Sequence, residues 1–246
     1  MVERTKDPMR QPLVSICVPT YHANGEQERI LTRLIMSVKE QVYPNIELVI
    51  SDQDATEKKE RAILKFLDAK VQLRYLDFKD DSGISAHNTN NALAHATGEY
   101  IQVLNQDDFF YHENALRDAI PLLQSSGKKW LAAACLHTDD YETYLDRLHT
   151  PVWRGEKSMV EGVNSIGCPS VVIFERSLKL RCDPNVFYAM DCSMWIDLFR
   201  SGGEPVILSD VAVVIRMWKN QLTNQINVPR QLELDKVEMR KKYGYS

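Results

Sequence analysis

An apolar run over residues 100–104 stops abruptly at Asn105, Gln106, Asp107 and Asp108. Two adjacent carboxylates repel each other, and their pairing is favourable only where something positive binds. Mg²⁺ and Mn²⁺ take oxygen ligands, and Mg²⁺ commonly shares its sphere between protein carboxylates and substrate phosphates. Asp107 and Asp108 therefore suit a cation that neutralises a diphosphate leaving group. The plainer reading makes them a solvated turn ahead of a helix at 113–126. Their place at the end of a strand favours the first reading. A third carboxylate, Asp52, follows another apolar run at 46–51.

Other chemistries lack their residues. No GxGxxG follows the first apolar run, so a dinucleotide-binding Rossmann enzyme is disfavoured. "SGKKW" at 126–130 lacks the leading glycine and the hydroxyl of a P-loop. HExxH and GxSxG are absent. Five cysteines, at 17, 135, 168, 182 and 192, show no CxxC or Cys/His zinc spacing. Cys168 and Cys182 could pair in principle, but reduced thiols of a cytoplasmic protein are the simpler expectation. The net charge of -4 argues against nucleic acid as a partner. No apolar stretch approaches the roughly 20 residues of a membrane helix. "MVERTKDPMRQP" is not a secretory signal and reads as a flexible tail over 1–12.

The elements that must position these carboxylates alternate in type. Residues 13–18, 46–51, 71–78 and 100–104 read as strands. Between the first two, Ile30, Leu31, Leu34, Ile35 and Val38 share one helical face, with Asn24 and Gln27 spaced as a capping box. Residues 60–68 read as a second helix. Residues 84–98 read as a third, closed by Gly98 as a C-cap. Strands alternating with helices imply a mainly parallel sheet, whose carboxyl edge gathers ligand-binding loops. "PTYHANGE", "SDQDAT" and "NQDDFF" should meet there. Further on, 130–136 and 169–176 read as strands, 138–168 as a loop-rich insertion or hairpin, and 191–203 as a short helix. Residues 206–218 hold one or two strands. A charged amphipathic helix ends the chain, lying on the surface. With 246 residues, 44% apolar and 26% charged, the chain is long enough for one sizeable α/β domain.

"VSICVPTYHANGEQERILTRLIMSVKEQVYPNIELVISDQDAT" and "GISAHNTNNALAHATGEYIQVLNQDDFF" resemble the family 2 glycosyltransferases of the GT-A fold. The resemblance is specific over 13–116 and weaker to about 200, through "PSVVIFER" and "FYAMDCSMWIDL". It implies a single GT-A domain over 13–228, with a nucleotide-sugar half (13–116) and an acceptor half (117–228), then a C-terminal helix over 229–246. It implies that Pro19, Thr20, Tyr21, Asp52, Asn88 and Asp107 bind the nucleotide. Asp107 and Asp108 would hold Mn²⁺ or Mg²⁺, and Asp191 would be the base of an inverting transfer. Taken alone, Asp191 reads equally well as a helix N-cap. Arg216 and Lys219 match a segment that closes over the diphosphate. The sequence departs from the family pattern at Gln53, His87 and Asn105, where Asp, Arg and Asp are usual. The donor would be a nucleotide-diphospho-sugar and the acceptor a carbohydrate or a lipid-linked one, with peripheral membrane contact compatible with Arg240, Lys241 and Lys242. The rivals are a catalytically impaired nucleotide-sugar-binding module and a sugar nucleotidyltransferase. The latter is disfavoured because "VPTYHANGE" has one glycine and no Arg or Lys.

Overall fold

A computed structural model describes residues 11–21, 27–67, 69–140, 143–218 and 221–246. Residues 1–10 of the tail expected over 1–12, the Asn24 end of the capping box and Lys219 lie outside the described residues, while the carbonyls of Gln11 and Pro12 accept from Asn45 and Tyr43.

The first half follows the sequence pattern closely. Strand β1 (Val14–Thr20) leads to helix α1 (Gln27–Glu40), then β2 (Ile46–Asp52), α2 (Glu57–Phe66), β3 (Val71–Asp77), α3 (Ser85–His95) and β4 (Tyr100–Val103). Ile30, Leu31, Leu34, Ile35 and Val38 of α1 are all buried, as their spacing predicts. Burying each such side chain contributes about 1.5–3 kcal/mol. Both β1 and β2 read as nearly unbroken apolar runs because they are covered on both faces.

The second half is more mixed. A two-residue strand β5 (Phe109–Phe110) precedes α4 (Ala115–Ser125). Strand β6 (Trp130–Thr138) then makes a hairpin with β7 (Tyr144–His149), and a short helix α5 (Glu156–Val160) follows. Next come β8 (Val172–Glu175), α6 (Met190–Gly202), β9 (Val206–Arg216) and α7 (Val228–Tyr243). The segment 138–168 holds the hairpin strand β7, then loop and the short α5, and 206–218 holds one strand. The order across the sheet is β3-β2-β1-β4-β8-β6-β9-β5, with β7 beside β6. The pairs among β1 to β4 are parallel, but β8 runs antiparallel to both β4 and β6. The sheet is therefore parallel on one side and mixed on the other.

Two expectations change. Gly98 does not cap α3, whose C-cap is Ala96. A Cβ at Gly98 would sit 2.7 Å from the Leu13 carbonyl oxygen and from the Ser15 hydroxyl. Glycine is needed there because the turn presses against β1. Helix α7 is not merely a surface helix, since Asp235, Met239 and Tyr243 are buried. Its basic end is largely committed: Arg240 pairs with Glu161 at 2.7 Å, and Lys242 with Asp197 at 2.9 Å.

Candidate active site

The chain reverses its direction of travel across the sheet between β1 and β4, and the sheet opens there. Strand β1 pairs with β2 as far as Thr20, but with β4 only as far as Cys17. Pro19 thus lies beyond the last β4 partner, where its missing N–H interrupts no ladder. Such a switch point, at the carboxyl ends of strands, is where open α/β sheets take ligands.

Thr20, Asp52, Asn88 and Asp107 gather around that opening. The Asn88 side-chain amide donates to the Thr20 carbonyl at 2.9 Å, and the Gln53 backbone N–H donates to the same oxygen at 3.1 Å. The Tyr21 N–H donates to Gln106 Oε1 at 3.1 Å. Burial pushes the Tyr21 phenol up, and the Asp107 charge adds to it. Three buried polar atoms here have no hydrogen-bond partner among the described residues: Thr20 Oγ1, Asn88 Oδ1 and Gln106 Nε2. Orphaned buried groups clustered at strand ends fit a polar ligand that completes them.

Asp52 is fully buried at the end of β2. Its Oδ2 accepts from the Tyr75 hydroxyl at 2.6 Å, and its Oδ1 from the Asp54 N–H at 2.9 Å. Lys59 Nζ lies 3.5 Å from Oδ2. Gln53 and His87, which look unrelated in the sequence, meet at one residue. Gln53 Nε2 donates to the Asp80 carbonyl at 3.1 Å, and His87 Nδ1 lies 2.8 Å from the Asp80 carboxylate. Hydrogen bonds from the Ser82 backbone and side chain, with help from His87, hold the Asp80 carboxyl below its usual range.

Asp107 and Asp108 are adjacent but differently placed. Asp108 is buried and its oxygens are occupied. Oδ2 accepts from the Ser170 hydroxyl at 2.5 Å and from Asn105 Nδ2 at 3.2 Å, and Oδ1 from the Arg216 N–H at 3.1 Å. Asp107 is half-buried, and its Oδ2 accepts from the Trp218 indole at 2.9 Å. Burial pushes both carboxyls up, and the charge of Asp107 pushes Asp108 further. The Arg216 guanidinium lies 4.7 Å over the Trp218 ring and opposes this rise at Asp107. Asn105, which stands where the family usually has Asp, is thus a hydrogen-bond donor to Asp108.

A divalent cation fits this arrangement in a limited way. Among the described residues no three His, Cys, Asp or Glu side chains converge on one point. Asp107 can offer an oxygen, whereas Asp108 would have to give up an internal bond. One carboxylate plus diphosphate oxygens is a normal set for Mg²⁺ or Mn²⁺.

Asp191 sits in the first turn of α6, but the N-cap is Ala189, so the capping reading is replaced. The carboxylate is flanked by the buried Cys192 and lacks a described partner. Burial alone raises its pKa to about 7, against the tendency of a helix N-terminus to favour the anion. The Cys168 thiol contacts Asp108 and feels the charge of Asp191. It lies 3.8 Å from Asp108 Oδ2, and its pKa is raised by burial, then by Asp108 and by Asp191. All five cysteines are unpaired.

Sequence reasoning missed Ser170, Trp218 and Asp235. Trp218 and Ser170 hold the Asp107–Asp108 corner through a single atom each, which leaves no spacing pattern. Asp235 did leave a signal: it interrupts an i, i+4, i+8 stripe with Met239 and Tyr243, and a charge on a buried stripe requires buried partners.

Residues 15–190 match the family model described as Glycosyl transferase family 2. The chain is 24% identical over 217 residues to the putative teichuronic acid biosynthesis glycosyltransferase TuaG of Bacillus subtilis, covering 87% of this chain and 82% of that one. It is 33% identical over 98 residues to a beta-1,3-glucosyltransferase of Escherichia coli, WfgD, covering 40% and 36%. The fold is similar to that of S. aureus TarS, solved with UDP-GlcNAc (TM-score 0.63, 16% identity, 83% of this chain and 58% of that one). It is also similar to the Pyrobaculum calidifontis mannosyltransferase PcManGT, solved with GDP-Man and Mn²⁺ (TM-score 0.62, 20% identity, 87% and 60%). The chain thus spans less than two thirds of both solved structures. With the GT-A architecture and a family match over most of its length, this chain belongs to glycosyltransferase family 2.

Proposed function

We propose that the chain transfers a sugar from a nucleotide-diphosphate donor to an acceptor hydroxyl with inversion at the anomeric carbon, in the synthesis of a surface polysaccharide or glycan. The observation that carries this reading is Asp191, a half-buried carboxylate with no described partner at the start of α6, whose charge is felt by the same Cys168 thiol that contacts Asp108. A general base works best when its pKa lies near the operating pH, and about 7 meets that condition.

Pro19, Thr20, Tyr21, Asp52 and Asn88 form the nucleotide end of the site. Asp107 meets the diphosphate together with Mn²⁺ or Mg²⁺, and Asp108 fixes the corner from beneath. The bound cation would supply charge neutralisation at the diphosphate. Arg216 adds a protein cation beside the same corner. The acceptor oxygen bonds to the anomeric carbon as the bond from that carbon to the diphosphate oxygen breaks. The leaving nucleoside diphosphate takes the electron pair, and the acceptor proton passes to Asp191. Base assistance of this kind is worth about 10²–10⁴ in rate. Inversion requires the base to lie across the sugar from the leaving group, and Asp191 comes from a different element than Asp107.

The donors in the related structures support a UDP- or GDP-linked sugar. The name of the E. coli relative, which places its acceptor on diphosphoundecaprenol, supports a lipid-linked or carbohydrate acceptor. No helix among the described residues is long and apolar enough to cross a membrane. Such an acceptor would therefore be met by peripheral contact. The test is a thermal-shift series with UDP, GDP and their sugars, each with Mn²⁺ and with chelator. A ligand at 100 times its Kd stabilises by about 2.7 kcal/mol. Stabilisation by one diphosphate series, together with slow donor hydrolysis, is expected. No shift with any diphosphate would overturn the reading, and binding without hydrolysis or transfer would leave a binding module.

A further inference from the structure

Helix α6 begins without a cap of its own. Ala189 at the N-cap offers no side-chain acceptor. Yet three consecutive backbone N–H groups just before the helix, at Phe187, Tyr188 and Ala189, all donate to one carboxylate 46 to 48 residues further along the chain. That carboxylate is Asp235. Oδ1 accepts from Phe187 at 3.0 Å and from Gln231 Nε2 at 2.9 Å, and Oδ2 from Tyr188 at 2.6 Å and Ala189 at 2.7 Å. Asp235 is fully buried. A buried carboxylate costs several kcal/mol to desolvate unless its oxygens are satisfied. Four donors satisfy this one, so the contact is highly directional. Two residues after the last of these N–H groups stands Asp191.

The rest of α7 is fastened to α6 as well. The Tyr243 hydroxyl lies 2.7 Å from the Ser193 hydroxyl and donates to Asp197 at 3.0 Å. Arg200 donates to the Tyr243 carbonyl at 2.7 Å. Both ends of α6 are thus gripped by α7, which lies beyond the segment that the family model matches.

We propose that Asp235 is the positioning residue for Asp191: by gathering the N–H groups of residues 187–189 it fixes where α6 starts, and so where the Asp191 carboxylate lies. The inference rests on the reading of Asp191 as the base. A displacement of 1 Å at a reacting group can cost about 10² in rate, so loss of this grip should matter without any contact to substrate. Asp235 itself faces backbone and Gln231, not the opening at β1 and β4.

The test uses the full chain with Asp235→Asn, Asp235→Glu, Gln231→Ala and Asp191→Asn. Three readouts are taken: amide hydrogen exchange at 187–189, the carboxyl titration of Asp191 by ¹³C NMR, and hydrolysis of UDP-glucose, UDP-GlcNAc and GDP-mannose with Mn²⁺. UDP and GDP affinities are measured in parallel by calorimetry. In Asp235→Asn, exchange should rise at least about tenfold and the Asp191 midpoint should fall towards an ordinary carboxylate value as water reaches it. Hydrolysis should fall at least about tenfold while diphosphate affinity stays within about twofold. Asp235→Glu should recover part of each change. Gln231→Ala removes one bond and no core side chain, so it gives a smaller shift in the same direction even where Asp235→Asn fails to fold. An Asp191 titration and exchange pattern untouched by both Asp235→Asn and Gln231→Ala would overturn the inference, whatever the activity. Asp191→Asn with wild-type turnover would instead remove the base reading, and with it the role assigned to Asp235.

Discussion

The Trp218 indole N–H donates to Asp107 Oδ2 across 111 residues of sequence, at 2.9 Å. Two residues earlier, the Arg216 backbone N–H donates to the neighbouring Asp108 at 3.1 Å. The end of β9 is therefore tied to both members of the pair. Trp218→Phe keeps the stack with Arg216 but removes one donor from a carboxylate. Hydrogen bonds to charged groups are worth about 1.5–3 kcal/mol. UDP or GDP binding with Mn²⁺, measured by calorimetry, is expected to weaken about tenfold, with the melting temperature nearly unchanged. Equal affinity would mean the indole does not tune Asp107.

The two aspartates should fail in different ways. Asp107→Asn should abolish the Mn²⁺ dependence of diphosphate binding and leave the melting temperature within a few degrees. Asp108→Ala leaves the Ser170 hydroxyl and the Arg216 N–H without their acceptor. A buried donor stranded in this way costs about 1–3 kcal/mol, so denaturant melts should show a loss of that order. Two variants with the same stability and the same binding defect would contradict the division.

Asp191 makes a paired prediction about pH. Turnover should rise with pH through about 7 as the base ionises. Asp191→Asn should cost at least about 10² in turnover with little change in donor affinity. Stability moves the opposite way. The folded carboxyl titrates near 7 and the unfolded one near 3.8, so the folded state binds the extra proton between these values. The contribution of Asp191 is therefore fully present below the unfolded value and is lost as pH rises towards 7. Asp191→Asn removes that loss, so it should melt above wild type at pH 8 and level with it near pH 3. A melting difference that does not change with pH would show that the carboxylate is not held in an apolar setting.

Tyr75→Phe tests how Asp52 is aimed. The Tyr75 hydroxyl is one of its buried bonds, and burial together with the Asp52 charge raises that phenol far above its usual range. Its removal is expected to cost about 1–2 kcal/mol of stability. If Asp52 meets the base or ribose, diphosphate affinity should fall about three- to tenfold by calorimetry. Loss of stability alone would make Asp52 a structural turn residue.

Much of this was legible in the sequence because it repeats. Strands β1, β2 and β4 are largely apolar runs, the buried face of α1 follows its 3.6-residue period, and Asp107 and Asp108 stand where such a run ends. What escaped has no period. Strand β5 is two residues long, so no pattern could mark it. Ser170 reaches Asp108 from a short 3-10 turn that looked like the start of a strand. Asp235 stands out as a charge on the buried stripe of Met239 and Tyr243, but its partners are backbone N–H groups, which every residue but proline has and which leave no trace in the letters.

Asp108 is held by Ser170 and by the backbone of Arg216, segments separated from it by 62 and 108 residues. During synthesis the amino-terminal strands can pair as they emerge, since β1 pairs with β2 and β4, and β2 with β3. The corner that meets the diphosphate has no such independence. A nascent chain shows two unsupported carboxylates until β9 has left the ribosome and slid in beside β6, so the assembly of the reaction centre is timed to the last strand of the sheet.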